Sequence, residues 1–379
     1  MIRDNFFTVV TANLASFPFR LFSRRPFESP AKVLILKPCC LSQVMLSTPL
    51  LAVLSDALPE ARFDWALSEW ARPAISGNPR ISQIIDTGQV TLADGTWADV
   101  GILIERLRQE EYDTCFVPSR STLLSYISWR AGIRQRIGLN VNGRGFAYTI
   151  PVKPPKEERN EAEIYLSLAR AVGIQEKADL EFYPADEDRA TITESLLDQV
   201  GWNGISPLVI IHPGGGKNPA YPDHDPRWPE ERFALLCSRL VRKYGAHVVL
   251  IASDSEKGVS KNILGLTSAA ISNLSGTTTL GEIGALCEVA DLYVGNDTGP
   301  THIAAAMGCP TLAIYGPTDP AVSQPYGNSR KIRIVQAKPE AGARSNFSWE
   351  GGATVDEVLA AADELLGLPP DHLAPNTNP

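Results

Sequence analysis

Along the chain, short unbroken apolar runs alternate with longer stretches in which apolar residues return every third or fourth position. The first pattern predicts buried strands and the second amphipathic helices. From Lys32 the predicted order is strand 32–36, helix 43–58, strand 62–67, helix 69–76, strand 81–86, helix 99–110, strand 112–118, helix 121–131, short strand 136–139, and helix 160–172 closed by Gly173. Pro49 is expected to kink the first of these helices. A charged, turn-rich break follows at 184–189, then a helix over 190–200 ending at Gly201.

The alternation then restarts with strand 207–212, a glycine loop, helix 229–244, strand 246–252, helix 255–266, strand 270–274 and helix 280–289. Residues 291–320 read as strand, polar turn, helix, turn, strand. Leu292 opens the first strand, Asn296-Asp-Thr-Gly299 has turn chemistry, and Pro300 suits a first helical position. The helix is expected over 303–307, with Gly308 in the left-handed position after it, and the second strand over 311–315. A strand over 331–335 and a helix over 354–366 complete the order. Thr354 with Glu357 forms a capping box there, and Gly367 takes the left-handed closing position.

Strands separated by helices predict βαβ units and mainly parallel sheets. The restart predicts two doubly wound α/β domains of similar size, joined between about 180 and 206, with a cleft between them. The expected division is an apolar and basic N-terminal segment at 1–30, Rossmann-like domains at 31–185 and 186–345, a C-terminal helix at 346–368 and a disordered tail at 369–379. The helix start at Asp297, Thr298, Thr301 and His302 lies at the carboxyl end of a strand. In an open α/β sheet that is where ligands bind, and helix N–H groups there suit phosphate.

Composition changes this picture in three places. The chain has 379 residues, 44% of them apolar, enough for two cores, and its net charge of −8 disfavours a nucleic-acid partner. The six cysteines show no C-x-x-C and no paired spacing, so a reduced setting is expected rather than a disulfide framework or a zinc site. Residues 6–22 are apolar and aromatic and are followed by Arg24 and Arg25. Asn13, Pro18 and Arg20 interrupt a bilayer span, and the charge order is wrong for a secretory signal. Two readings stay open for residues 5–25: a segment lying on an anionic membrane surface, or an arm packed on the protein's own body.

For chemistry, His212-Pro-Gly-Gly-Gly-Lys217 follows directly on a strand, where glycines let a ligand approach the backbone. It is neither a Walker A loop nor a dinucleotide fingerprint, and a G-x-S-x-G elbow is absent. His212 reads as a satisfied structural histidine. Asp223-His224-Asp225 has no third ligand, so no metal site is expected. Arg227, at the start of the next helix, suits pairing with a phosphate. Arg130, Arg134, Arg136, Arg144, Lys153 and Lys156 form a locally basic stretch suited to an anionic acceptor or, equally, a solvated face.

These residues together carry a resemblance to glycosyltransferase family 9, the lipopolysaccharide heptosyltransferase family. It rests on Val33 through Leu51, His212-Pro-Gly-Gly-Gly, Arg227-Trp-Pro-Glu-Glu-Arg-Phe233, Gly295-Asn-Asp-Thr-Gly-Pro-Thr-His302 and Tyr315-Gly-Pro-Thr-Asp-Pro320, and spans roughly 32–368. The resemblance implies a GT-B architecture: two Rossmann-like domains facing across a cleft, the acceptor on the N-terminal one and the nucleotide-sugar on the C-terminal one. It implies inverting, metal-independent transfer of a sugar, heptose from ADP-heptose being the family's own case, to a cell-envelope glycan or glycolipid at the cytosolic membrane face.

Carried over residue by residue, the donor site is Gly214, Gly215, Lys217, Arg227, Glu256, Asp297, Thr298, Gly299, Thr301 and His302. Either Arg227 or Lys217 takes the place of the family's phosphate-contacting lysine, and Glu256 that of its ribose-binding acid. On the acceptor side Lys37 begins the loop that carries the family's base, an Asp. Here Gln43 stands at that position, and a neutral amide cannot take a proton. Glu69 and Glu105 are other carboxylates near strand ends. The second reading is therefore a nucleotide-sugar-binding protein that has lost its base.

Overall fold

The computed structural model describes residues 10, 11, 14, 26–215, 227–337 and 347–367. It divides into two compact units. One holds the described residues up to Tyr183 together with Ala321–Gly327, and the other holds the rest from Pro184 onward. The expected membrane-binding segment at 5–25, Lys217, the Asp223-His224-Asp225 loop and the tail at 369–379 fall largely or wholly outside the described residues. No described helix is long and apolar enough to cross a membrane.

The first unit is built on β1 (Lys32–Leu36), β2 (Arg62–Leu67), β3 (Gln83–Asp86), β4 (Thr114–Val117), β5 (Gln135–Leu139) and β6 (Ile150–Val152), in the sheet order β3-β2-β1-β4-β5-β6 with every pairing parallel. Its helices are α1 (Leu41–Met45), α2 (Thr48–Ala57), α3 (Trp97–Gln109), α4 (Thr122–Arg130) and α5 (Glu161–Arg170). Leu34, Leu36, Cys115 and Val117 point to one face and meet Leu103 and Leu107 of α3 and Leu124 and Ile127 of α4. That is the two-residue period of a strand meeting the apolar stripe of a helix.

The second unit repeats the plan. After α6 (Asp186–Glu194) come β7 (Leu208–His212), α7 (Glu230–Tyr244), β8 (His247–Leu250), α8 (Lys257–Leu266), β9 (Ile271–Asn273), α9 (Leu280–Val289), β10 (Leu292–Asn296), α10 (Gly299–Ala306), β11 (Thr311–Tyr315), β12 (Ile332–Gln336) and α12 (Val355–Leu366), while the short α11 (Pro320–Ser323) leads into the segment that belongs to the first unit. The parallel sheet runs β12-β11-β10-β7-β8-β9. Both faces are covered: Val209, Ile211, Val248 and Leu250 pack on α7 and α12, while Leu208, Ile210 and Val249 pack on α9. In each sheet the strand order reverses at one place, between β1 and β4 and between β7 and β10. These are the topological switch points at which open α/β sheets take ligands.

Several local expectations change. The helix expected at 69–76 is only the single turn Arg72–Ala74, because Pro73 lacks an N–H and Asn78 precedes another proline. The break expected at 184–189 is already helix from Asp186. Its acidic residues suit a helix start, and Asp188 accepts the Ala185 N–H at 2.8 Å. The helix expected at 43–58 is two helices, with Pro49 near the start of the second. Strand β6 carries no strand signal in the sequence because it contains Pro151, which an edge strand tolerates. Helix α10 begins at Gly299, four residues before its expected start. Gly308 does take the left-handed conformation, at φ 71°, but Gly367 does not, at φ −83°. Finally, Cys39 and Cys40 are joined as an adjacent disulfide, contrary to the expectation that all six cysteines stay unpaired; Cys115, Cys237, Cys287 and Cys309 are free and buried.

Glu163 of α5 ties the returning segment Ala321–Gly327 to the first unit. It pairs with Arg170, with Lys177 at 2.8 Å and with the Tyr326 hydroxyl at 2.6 Å. Burial alone would raise its carboxyl, but these bonds overcome burial and hold it down at about 2. The ion is thus preferred in the folded state, so its stabilisation is complete above the ordinary carboxylate range and lost as pH falls from about 4.5 toward 2. Glu163→Gln should cost about 2 kcal/mol at neutral pH and flatten the acid limb of stability below pH 5. Urea unfolding of both forms across that range checks it; parallel curves would show the ion to be idle.

Candidate active site

At the switch point of the second unit, β7 ends in His212 and β10 in Asn296, and their neighbours form one polar cluster. Asn296 is buried. Its Nδ2 donates to the Pro213 and Gly214 carbonyls, both at 3.0 Å, and its Oδ1 accepts the Trp228 N–H at 3.0 Å. One side chain therefore fixes the glycine loop, the start of α7 and the end of β10. Trp228 is seated by packing edge-on against Phe233 and by donating its indole N–H to the Ala353 carbonyl at 2.7 Å. This sets the position of Arg227, which is half-buried beside it.

Glu256, also buried, lies over the glycine loop. Its carboxylate accepts the Gly215 N–H at 2.9 Å and the Ser253 hydroxyl at 2.7 Å. A Cβ on Gly214 would come within 2.6 Å of that carboxylate, so glycine is there for space. His212 is buried with Nδ1 3.4 Å from the Thr298 hydroxyl. Burial lowers its pKa and the Glu256 charge works against that, so the ring is neutral near pH 7.

Thr298 precedes α10 with an extended backbone, the geometry of an N-cap; Pro300 has no N–H and the Thr301 N–H donates to the Thr298 carbonyl at 3.2 Å, so Gly299 is the helical residue whose N–H has no partner within the first turn. Asp297 is half-buried and Gly299 buried at this helix start. Thr301 and His302 are enclosed. The Thr301 hydroxyl donates to the Asn296 carbonyl at 2.6 Å, so it builds the turn from beneath. Both ring nitrogens of His302 lack hydrogen-bond partners, and burial brings its pKa down to about 3, so it too is neutral.

The candidate residues Gly214, Gly215, Glu256, Asp297, Thr298, Gly299, Thr301 and His302 thus fall on the glycine loop, at the turn before α10, in its first turns, or over that loop. Arg227 joins them through its neighbour Trp228. Lys217 lies outside the described residues. His212, expected to be structural, belongs to this cluster, and Asn296 organises it.

The switch point of the first unit carries a second cluster. Lys37, just past β1, is buried, and its Nζ lies 3.0 Å from each of Gln43 Oε1, the Pro118 carbonyl just past β4, and the Tyr165 hydroxyl of α5. Glu161 and Arg120 stand beside it, paired at 2.6 Å. Burial lowers the Lys37 pKa to about 7, with Glu161 pulling it up and Arg120 pushing it down. Gln43 is exposed. Glu69 and Glu105 are spent on surface pairs with Arg72 and Arg108. In the basic stretch, Arg136 is buried on the Ala147 and Ile133 carbonyls and Arg134 pairs with Glu28, so neither is a plain open cation.

Residues 100–348, more than half of the chain, match the family described as glycosyltransferase family 9 (heptosyltransferase). The protein belongs to glycosyltransferase family 9. Lipopolysaccharide heptosyltransferase 2 of Escherichia coli K12 is 28% identical over 316 residues, which cover 80% of this chain and 88% of that protein. The crystal structure of a family 9 glycosyl transferase from Veillonella parvula has a TM-score of 0.79 at 20% identity, over 90% of this chain and 99% of that one. The structure of E. coli heptosyltransferase WaaC with ADP has a TM-score of 0.65 at 18% identity, over 88% and 99%. Family 9 membership makes the protein a glycosyltransferase. The matched stretch includes the whole β7–β10 cluster, while Lys37 and Gln43 precede it.

Proposed function

We propose that this family 9 protein is an inverting, metal-independent heptosyltransferase. It takes heptose from ADP-heptose bound at the β7–β10 switch point and adds it to a lipopolysaccharide core or related glycolipid. The observation that carries the reading is the joint placement of a helix start, a glycine loop and a buried carboxylate around Asn296. The helix start and Arg227 suit a diphosphate, and Glu256 suits a ribose hydroxyl. As an acceptor hydroxyl oxygen bonds to the anomeric carbon from the face opposite the diphosphate and releases its proton to solvent, the bond from the sugar to the diphosphate breaks and its electron pair leaves on phosphate oxygen. N–H groups at Thr298 and Gly299 and the Arg227 charge oppose that developing charge. The named relatives and the ADP complex of WaaC support the same donor.

Gln43 favours a second reading, donor binding without transfer, because an amide cannot serve as base. Release of ADP from ADP-heptose, with heptose-free lipopolysaccharide as acceptor, separates the two. The wild type should transfer. Donor binding without turnover, with transfer appearing only in Gln43→Asp, would sink the first reading.

A further inference from the structure

We infer that Glu161 is a positioning residue for the acceptor: acting through Tyr165 and Lys37, it fixes the Gln43 amide with its NH2 group outward, so that the acceptor meets a hydrogen-bond donor. The inference rests on the proposed transferase reading. It concerns a residue outside the glycine loop, the α10 helix start and the Gln43 loop.

The argument starts from Lys37. An ammonium only donates, and Gln43 turns Oε1 to Nζ at 3.0 Å. The amide oxygen therefore faces inward and Nε2 faces away from the lysine. Gln43 is exposed, so its two N–H groups are offered at this end of the sheet. Lys37 itself has no freedom to turn. The Pro118 carbonyl and the Tyr165 hydroxyl occupy its other two donors at 3.0 Å, and the ammonium lies 4.7 Å from the centre of the Tyr165 ring. The Trp65 indole N–H caps the Lys37 carbonyl at 3.4 Å.

A buried ammonium persists only where a counter-charge compensates it. Gln43, Pro118, Tyr165 and Trp65 are neutral. The charged groups beside Lys37 are Glu161 on α5 and Arg120 beyond β4. Glu161 lies one helical turn before Tyr165; burial chiefly holds the Tyr165 hydroxyl well above its ordinary pKa, with the Glu161 charge and hydrogen bond adding to that, while at Lys37 the Glu161 charge works against burial. It is itself buried, with Oε1 on Arg120 at 2.6 Å. Arg120 opposes it. With Lys37 charged, its bond to Gln43 is charge-assisted. With Lys37 neutral, that bond weakens and one of the three contacts must reverse, the Tyr165 O–H then donating to Nζ.

Two substitutions therefore act with opposite signs. Removing the Glu161 charge lets Lys37 lose its proton at lower pH, and removing the Arg120 charge delays that loss. The test is initial-rate kinetics on the full chain with ADP-heptose and heptose-free lipopolysaccharide, with ADP affinity measured separately. Glu161→Gln should raise the acceptor KM about tenfold, leave the ADP Kd within about twofold, and move the alkaline fall of kcat/KM to lower pH. Arg120→Gln should move that fall to higher pH, and Glu161→Asp should recover most of the acceptor KM.

An unchanged acceptor KM and pH profile in Glu161→Gln overturns the inference. So does a shift of both variants in the same direction, which would mean general loosening. If Glu161→Gln loses its cooperative melting transition, Arg120→Gln decides alone, and an unmoved alkaline limb overturns it. A wild type that binds ADP but transfers nothing overturns the transferase reading and this inference with it. Wild-type transfer that is insensitive to Glu161 overturns this inference alone.

Discussion

Asn296→Ala should be the most damaging single change in the second unit, costing about 3–4 kcal/mol and abolishing measurable ADP binding. The side chain serves three backbone groups from separate segments: the Pro213 and Gly214 carbonyls and the Trp228 N–H. Each buried backbone group left without a partner costs about 1–3 kcal/mol, and carbonyls tolerate the loss better than N–H groups. Two of the three are carbonyls, which puts the sum near the low end of the range of about 3–9 kcal/mol. The truncation also frees the glycine loop from the end of β10, so the nucleotide would have to order the loop itself.

Asn296→Asp sharpens the test. A carboxylate still accepts the Trp228 N–H but faces two carbonyl oxygens where the amide donated. It should therefore be no better than alanine, although it is nearly the same shape. Urea unfolding and calorimetric titration with ADP measure both effects. A loss below about 1 kcal/mol with ADP affinity retained would show that the loop is held by other contacts.

The reason Asn296 was not singled out from sequence is distance along the chain. Its partners lie 82, 83 and 68 residues away, and no local pattern records them. What was legible there was the strand, the turn and the helix of residues 291–320, because their signals are local: an apolar run, Pro300 and Gly308. The same holds for the Thr354–Glu357 capping box, which forms as expected. Acid-rich Asp186–Asp188 misled because charge reads as loop when the helix dipole that welcomes it is not considered.

The Lys37 cluster divides in the same way. Gln43 was visible as a departure from a motif, and Lys37 as that motif's basic residue. Tyr165 was not, since it stands 128 residues from Lys37 and reaches it only when α5 lies beside the end of β1. A usable signal did exist. With β1 and β4 recognised as strands of a doubly wound sheet, the order that puts them side by side places residues after Leu36 next to residues after Val117. The polar helix start at Asn160 and Glu161 then becomes a candidate neighbour.

Gly214→Ala makes the second large prediction, and it isolates Glu256. The backbone at Gly214 is not left-handed, so alanine is admissible there except for what its Cβ meets: Glu256 Oε2 at 2.6 Å, with Oε1 and Cδ at 2.8 Å. The carboxylate cannot simply slide away, because the Gly215 N–H and the Ser253 hydroxyl hold it. The methyl group therefore forces Glu256 off the loop. The expected result is an ADP affinity lowered about tenfold to thirtyfold, or about 1.4–2 kcal/mol, with global stability changed by no more than about 1.5 kcal/mol. Glu256→Ala should weaken ADP by a similar factor. The decisive measurement is the double variant. If Gly214→Ala acts only by displacing Glu256, the methyl has nothing to displace once the carboxylate is gone, and the pair should be no worse than Glu256→Ala alone. Additive losses would instead mean that Gly214 meets the nucleotide directly, and the carboxylate would be an independent contact.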